Sequence, residues 1–176
     1  DSRSRSSLTL DSSTPSWCRT DGRPDWIDTM SQPSAASPYE LPDVSSLVIG
    51  VLGGTGEQGR GLAVRLAAAG QRVVIGSRSA ERAGDAAAEI GQGGTGADNA
   101  ACARTADVVI VAVPYDGHAA LLESLVSELE GKVVVDCVNP LGFDKQGAFA
   151  LAVDEGSAAQ QAASLLPGAR VVGAFH

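Results

Sequence analysis

Three glycines carry the first sign of chemistry in this chain. Gly54, Gly56 and Gly59 stand in the run Gly53-Gly54-Thr55-Gly56-Glu57-Gln58-Gly59 and satisfy the spacing G-x-G-x-x-G. That spacing has a physical meaning only where a strand ends and a helix begins. There, one glycine permits the tight turn, one lets backbone approach a pyrophosphate, and one lets helix and strand pack closely. The first helical turn then offers free N–H groups and a partial positive charge to the phosphates. Leu47-Val48-Ile49-Gly50-Val51-Leu52 precedes the glycines, and Leu62, Leu66 and Ala69 follow at helical spacing, so the context is met. A Walker loop is excluded, because no Gly-Lys-Ser/Thr follows at the required offset.

A second set, at the end of the next apolar run, selects the dinucleotide. An NAD site places Asp or Glu there to bind the ribose 2′-hydroxyl. This chain has Ser77-Arg78, with Arg82 one helical turn on. A hydroxyl and two guanidinium groups suit a 2′-phosphate, which a carboxylate would repel. The expectation is NADP rather than NAD, although Glu81 offsets part of the Arg82 charge. Two further loops, Val113-Pro114-Tyr115 and Val138-Asn139-Pro140-Leu141, follow apolar runs at the edge where open α/β sheets bind ligands. Tyr115, Asn139, Pro140 and Leu141 are therefore expected beside the nicotinamide.

No catalytic set accompanies these binding residues. Tyr-x-x-x-Lys fails at both tyrosines, since Asp43 follows Tyr39 and Ala119 follows Tyr115 at that offset. No Gly-x-Ser-x-Gly elbow is present. His118 opens a helix, where a solvated or capping role is expected, and Asp136 ends a buried strand as a hydrogen-bonded carboxylate. Cys18, Cys102 and Cys137 are widely spaced, which excludes a CxxC site and a disulfide framework and suits ordinary thiols in a reducing cytoplasm.

The elements that must position these residues begin near residue 47. Strands are expected at 47–52, 72–76, 108–113, 133–136 and 170–174. Helices are expected at 58–69, 79–90, 98–105, 117–130 and 155–166. The stretch 91–98 holds four glycines and gives no clear element. Strands alternating with helices imply a Rossmann-type, doubly wound parallel sheet of the α/β class. Residues 1–46 differ in composition, with 12 Ser and 5 of the 8 Pro, and read as a disordered or flexible segment ahead of a nucleotide-binding domain at 47–176. Met30 is the only methionine and the expected natural start, which would leave residues 1–29 to an extended reading frame. A net charge of −8 without a basic face excludes duplex binding, and no run approaches the ~18 apolar residues of a membrane span.

At this point the chain resembles a known family. The run Leu52–Ala63, then Ile75-Gly76-Ser77-Arg78, Val113-Pro114-Tyr115 and Gly173-Ala174-Phe175-His176, is similar to the NADPH-dependent F420 reductases, also called F420-dependent NADP oxidoreductases. The resemblance covers about residues 47–176. It implies that Thr55 to Gln58 hold the pyrophosphate, that Ser77, Arg78 and Arg82 hold the 2′-phosphate, and that Tyr115 and Asn139–Leu141 line the nicotinamide end. It also implies reversible hydride transfer between reduced coenzyme F420 and NADP in a cytoplasmic homodimer acting on small-molecule cofactors. Family chains continue past the Phe-His segment, so this chain is expected to stop short, binding NADP but turning over poorly. Two alternatives remain open: an NADP-dependent imine reductase of pyrroline-5-carboxylate reductase type, and a non-catalytic NADP-sensing module.

Overall fold

Unalternating runs of Val, Ile and Leu are stable as strands only where both faces of a sheet are covered. A computed structural model describes residues 42–91 and 94–176 and folds these runs that way. In chain order the elements are β1 (Val48–Leu52), α1 (Glu57–Ala68), β2 (Arg72–Ser77), α2 (Ala80–Ile90), β3 (Gly94–Asp98), α3 (Asn99–Thr105) and β4 (Val108–Val111). A 3-10 turn (Tyr115–Gly117), α4 (His118–Glu123), α5 (Val126–Leu129) and β5 (Val133–Asp136) follow. A hairpin, β6 (Leu141–Asp144) and β7 (Gly147–Ala150), precedes α6 (Ala158–Leu165) and β8 (Arg170–Gly173). Residues 1–41, which include Cys18, Met30 and Tyr39, lie outside the described residues.

The main sheet has the order β3-β2-β1-β4-β5-β8, with every pair parallel. The chain leaves β1 toward β2 and β3, then returns to build β4, β5 and β8 on the other side. The order therefore reverses at β1 and β4, and a crevice opens at their carboxyl ends, where ligands bind in such folds. The pleat sends Ile49, Val51, Val73, Ile75 and Ile110 to one core layer with Ala63, Ala83 and Ala87. It sends Leu52, Val74, Val109, Val111 and Val134 to the other, against Cys102, Leu122, Leu129 and Leu166. Burying each Val or Leu in such a layer contributes about 1.5–3 kcal/mol. Among the described residues, no helix is long and apolar enough to cross a membrane.

The structure departs from the sequence pattern in three places. The glycine-rich stretch after α2 forms β3, in register with β2 from Val73↔Gly94 to Ser77↔Asp98. Its glycines are required by packing: a Cβ on Gly96 would come within 2.3 Å of the α2 backbone at Ala83 and Gly84. The expected helix at 117–130 breaks into α4 and α5, where Ser124 Oγ bonds the Leu121 carbonyl at 2.7 Å and Leu125 leaves helical backbone angles. The β6–β7 hairpin was not expected. It lies outside the main sheet and leaves Phe143 exposed.

Polar groups fix the sheet end remote from the crevice. Lys132 Nζ donates to the carbonyls of Ala103 at 2.7 Å, Arg104 at 2.9 Å and Ala106 at 2.5 Å, closing the C-terminus of α3 with a cation of the favourable sign. Asp107 accepts from Val48 N–H at 2.8 Å and returns a backbone bond to the Val48 carbonyl at 2.9 Å. The edge of β1 is thereby locked, and the glycine loop leaves from a rigid strand.

Candidate functional site

The loop after β1 is shaped by Gly53, which the G-x-G-x-x-G frame does not include. Gly53 has φ +78° and donates to the Gly76 carbonyl of β2 at 3.2 Å. A Cβ there would meet the Ala112 carbonyl oxygen at 2.4 Å. Gly54 N–H turns back to Val51 at 3.2 Å, and Gly56 N–H to Gly53 at 2.9 Å. Gly59 is the close-packing glycine: a Cβ on it would lie 2.7 Å from the Gly53 carbonyl oxygen. Gly56 caps α1 without any side-chain bond, so the first-turn N–H groups of Glu57, Gln58 and Gly59 have no intrahelical partner.

A cleft of about 380 Å³ lies over this loop, lined at its polar end by Thr55, Gly56, Ser77, Arg78 and Arg82. Ser77, the last residue of β2, is buried, while Arg78 and Arg82 are exposed. Ser79 caps α2 by accepting from Arg82 N–H at 3.4 Å, which sets Arg82 in the helix's first turn. Among the described residues neither arginine has a carboxylate within ion-pair distance. Among the described residues no Asp or Glu lines this cleft, and Asp98 stands in the adjoining hollow that shares Ser77, Arg78 and Asn99. The cleft's other wall is Ala112, Val113 and Pro114 just after β4, Gly117 of the 3-10 turn and Leu121 of α4.

Other expected residues stand differently. Glu57 is exposed in the first turn of α1, so its N–H rather than its carboxylate suits a phosphate. The Gln58 amide is engaged, donating to the Phe175 carbonyl at 2.8 Å. Tyr115, Asn139, Pro140 and Leu141 follow β4 and β5 at the same sheet edge but do not line the cleft wall. Tyr115 instead stacks on His118, with ring centroids 6.2 Å apart. Leu141 begins β6.

His118 corrects the expectation of a solvated or capping residue. It is fully buried, its Nε2 lies 2.6 Å from Asp136 Oδ2, and its Nδ1 lies 3.1 Å from Gln161 Oε1. The sequence held a signal, since His118 and Leu122 share a face one helical turn apart and Leu122 is core. Asp136 is the expected hydrogen-bonded carboxylate, with Oδ1 accepting from Val138 N–H at 2.9 Å. Burial pulls the imidazole downward. The hydrogen bond and charge of Asp136, with the bond to Gln161, more than offset it and hold His118 above its ordinary value.

Asn99 was missed. It follows β3 directly, lines the cleft, and its Oδ1 is buried without a hydrogen-bond partner. Reading Gly94–Asp98 as a strand would have placed Asn99 at the carboxyl edge. Cys102 and Cys137 are free, and burial pushes both thiols up to about 11, so neither is a thiolate at neutral pH.

Comparison with known proteins agrees with this geometry. The family model described as NADP oxidoreductase coenzyme F420-dependent matches residues 48–140. The F420-dependent NADP reductase of Methanothermobacter marburgensis is 42% identical over 139 residues, covering 73% of this chain and 62% of that protein. The reductase of the same name from Methanocaldococcus jannaschii is 39% identical over 140 residues, with coverage of 73% and 62%. A solved structure of a hypothetical protein from Sinorhizobium meliloti superposes with TM-score 0.61 at 30% identity, covering 73% of this chain and 60% of that one. The chain thus spans a little over three fifths of the length of the curated relatives it matches. With a glycine loop after β1, a basic end to β2 and a parallel sheet whose order reverses between β1 and β4, the chain belongs to the family of coenzyme F420-dependent NADP oxidoreductases.

Proposed function

We propose that this chain binds NADP in the cleft and that the whole protein transfers a hydride between NADP(H) and coenzyme F420. One observation carries the first half: Ser77, Arg78 and Arg82 converge with the glycine loop on a cleft that no carboxylate lines. The pyrophosphate fits the uncapped N-terminus of α1, where Gly56 carries no side chain and Thr55 offers a hydroxyl, while Gly54 and Gly59 let the loop pack against β2 and α1. The orphaned Asn99 Oδ1 calls for a donor, which a ribose hydroxyl or the adenine amino group supplies. The nicotinamide carries the hydride chemistry, so the protein needs to orient two rings and exclude water rather than supply acid and base. Tyr115, Asn139, Pro140 and Leu141 belong to the nicotinamide end of this reading.

The second half rests on the family match and on relatives named as F420-dependent NADP reductases. The reading extends to a cytoplasmic homodimer acting on small-molecule cofactors and not on nucleic acid or membrane. The free buried thiols of Cys102 and Cys137 suit a reducing compartment, and exposed Phe143, Phe149, Val172 and Phe175 offer apolar surface for association. No feature of the site favours the imine reductase or the sensor.

Titration with NADP and NAD tests the cleft. NADP is expected to bind more tightly, and Arg78→Asp is expected to weaken NADP about tenfold or more, since charge-assisted bonds to phosphate contribute about 1.5–3 kcal/mol. Unchanged NADP affinity in that variant overturns the assignment. Deazaflavin absorbance followed with NADPH tests the transfer. Loss of the deazaflavin absorbance against NADPH supports the reading, and no change with the whole protein overturns it. The imine reductase reading predicts instead that a cyclic imine consumes NADPH while F420 is unchanged.

A further inference from the structure

The buried polar cluster His118–Asp136–Gln161 is not explained by binding or hydride transfer. Its members come from three separate elements: the start of α4, the end of β5 and the middle of α6. All of the imidazole and all of the Asp136 side chain are withdrawn from solvent. An unpaired polar group would be costly there, and this cluster satisfies each one. The Gln161 amide is oriented by a further bond, from its Nε2 to Glu155 Oε2 at 3.2 Å. Its Oε1 therefore faces His118 as an acceptor, so Nδ1 must carry a proton. Asp136 Oδ1 already accepts from Val138 N–H, and Oδ2 accepts the second ring proton at 2.6 Å. Both nitrogens of the ring thus face acceptors, the arrangement of an imidazolium.

The cluster sits directly behind the cleft. His118 follows Gly117 without a gap, and Pro114 and Gly117 are cleft wall. Asp136 precedes the Val138–Leu141 loop at the same edge, and Tyr115 stacks on the His118 ring. We propose that His118 is a positioning residue of the nucleotide site: a protonated strut, clamped by Asp136 and Gln161, that fixes the Pro114–Gly117 turn against the end of β5. This inference rests on the NADP reading of the cleft. The strut touches no ligand and acts through the wall it holds. Losing a proton would empty Nδ1, because the Asp136 carboxylate keeps the proton on Nε2, and would leave Nδ1 and Gln161 Oε1 as two acceptors 3.1 Å apart, loosening the clamp on the turn. The ionisable groups around it are Asp136 at the end of β5, Cys137 just after it, Tyr115 and Asp116 on the 3-10 turn, and Glu155 behind Gln161. Cys137 titrates near 11, well clear of the neutral range.

Two measurements test the strut, one on the unaltered chain. First, 15N NMR of the histidine ring should report both nitrogens of His118 as protonated at pH 7. An unprotonated nitrogen on that ring, Nδ1 or Nε2, overturns the proposal. Second, NADP affinity should be read against pH for the unaltered chain and for His118→Gln. The unaltered chain should lose affinity as pH rises and the strut gives up its proton, the opposite direction from the 2′-phosphate, whose ionisation strengthens binding. His118→Gln should bind about three- to tenfold more weakly at pH 7, with no pH dependence up to 9. A folded His118→Gln with the unaltered affinity and pH profile overturns the strut. If that variant does not fold, the ring NMR and the pH profile of the unaltered chain decide: a flat profile overturns it and a falling one supports it. A chain with a doubly protonated ring that binds no NADP at any pH overturns the nucleotide reading instead, and with it the positioning role.

Discussion

Gly53→Ala is expected to destabilise the protein by about 3–5 kcal/mol and to remove NADP binding, as read by urea unfolding and nucleotide titration. Two costs add. The residue has φ +78°, a conformation that costs an L side chain about 1–2 kcal/mol. The new methyl group would also lie 2.4 Å from the Ala112 carbonyl oxygen and 2.8 Å from Val113 Cγ1. Neither neighbour can yield cheaply. Ala112 is bonded to Leu52 at 2.9 Å, and Gly53 itself is held to Gly76 at 3.2 Å, so relief would part β1 from β4 or β2. Opening that seam displaces Pro114 and the N-terminus of α1 together, the two walls of the cleft. Gly84→Ala is the matched control. It adds the same methyl group inside α2, with nothing within 4 Å, and should stabilise by about 0.5–1 kcal/mol through helix propensity. A Gly53→Ala protein with unchanged stability and NADP affinity would overturn the role assigned to the turn.

What could be read from the sequence follows from what each residue is doing. β1, β2, β4 and β5 are legible because strands covered on both faces must be apolar without interruption, and β8, at the sheet edge, through its short Val171-Val172 run. β3 was illegible for the opposite reason. Gly96 leaves out its side chain so that the α2 backbone can approach, and a strand of Gly-Thr-Gly-Ala-Asp has no hydrophobic signature. Losing β3 also lost Asn99, the residue it delivers to the cleft. The glycine loop and the Ser77–Arg78–Arg82 set could be placed at one cleft from sequence because their spacing is local, within one turn or one strand end. His118 was not, because its partners Asp136 and Gln161 lie 18 and 43 residues away and meet it only through tertiary packing. The sequence places a histidine at a helix start. Leu122, four residues on, hints at the inward face, but only the fold supplies the partners.

That inward-facing pair yields the second large effect, a reversal of sign in the pH dependence of stability on Asp136→Ala. In the unaltered chain His118 titrates above its ordinary value, so the folded state binds more protons than the unfolded one across that window. Its contribution is fully present below about pH 6.5, the unfolded value, and is lost as pH rises through the folded value. Asp136→Ala removes the hydrogen bond and charge that raise it. Burial, the strongest single influence on this ring, then dominates and pulls the folded value below the unfolded one. The unfolded chain now binds more protons, and stability from this site must climb with pH until about 6.5 and then level off. The variant also strands Nε2 of His118 and the N–H of Val138, at about 1–3 kcal/mol each. Urea midpoints taken from pH 5 to 9 check both effects. They should show a variant about 3 kcal/mol weaker near neutrality, within the range for two stranded buried groups. The difference from the unaltered chain should narrow steadily as pH rises, because the two contributions move in opposite directions. Parallel midpoint curves for the two proteins would mean that Asp136 does not hold the proton of His118.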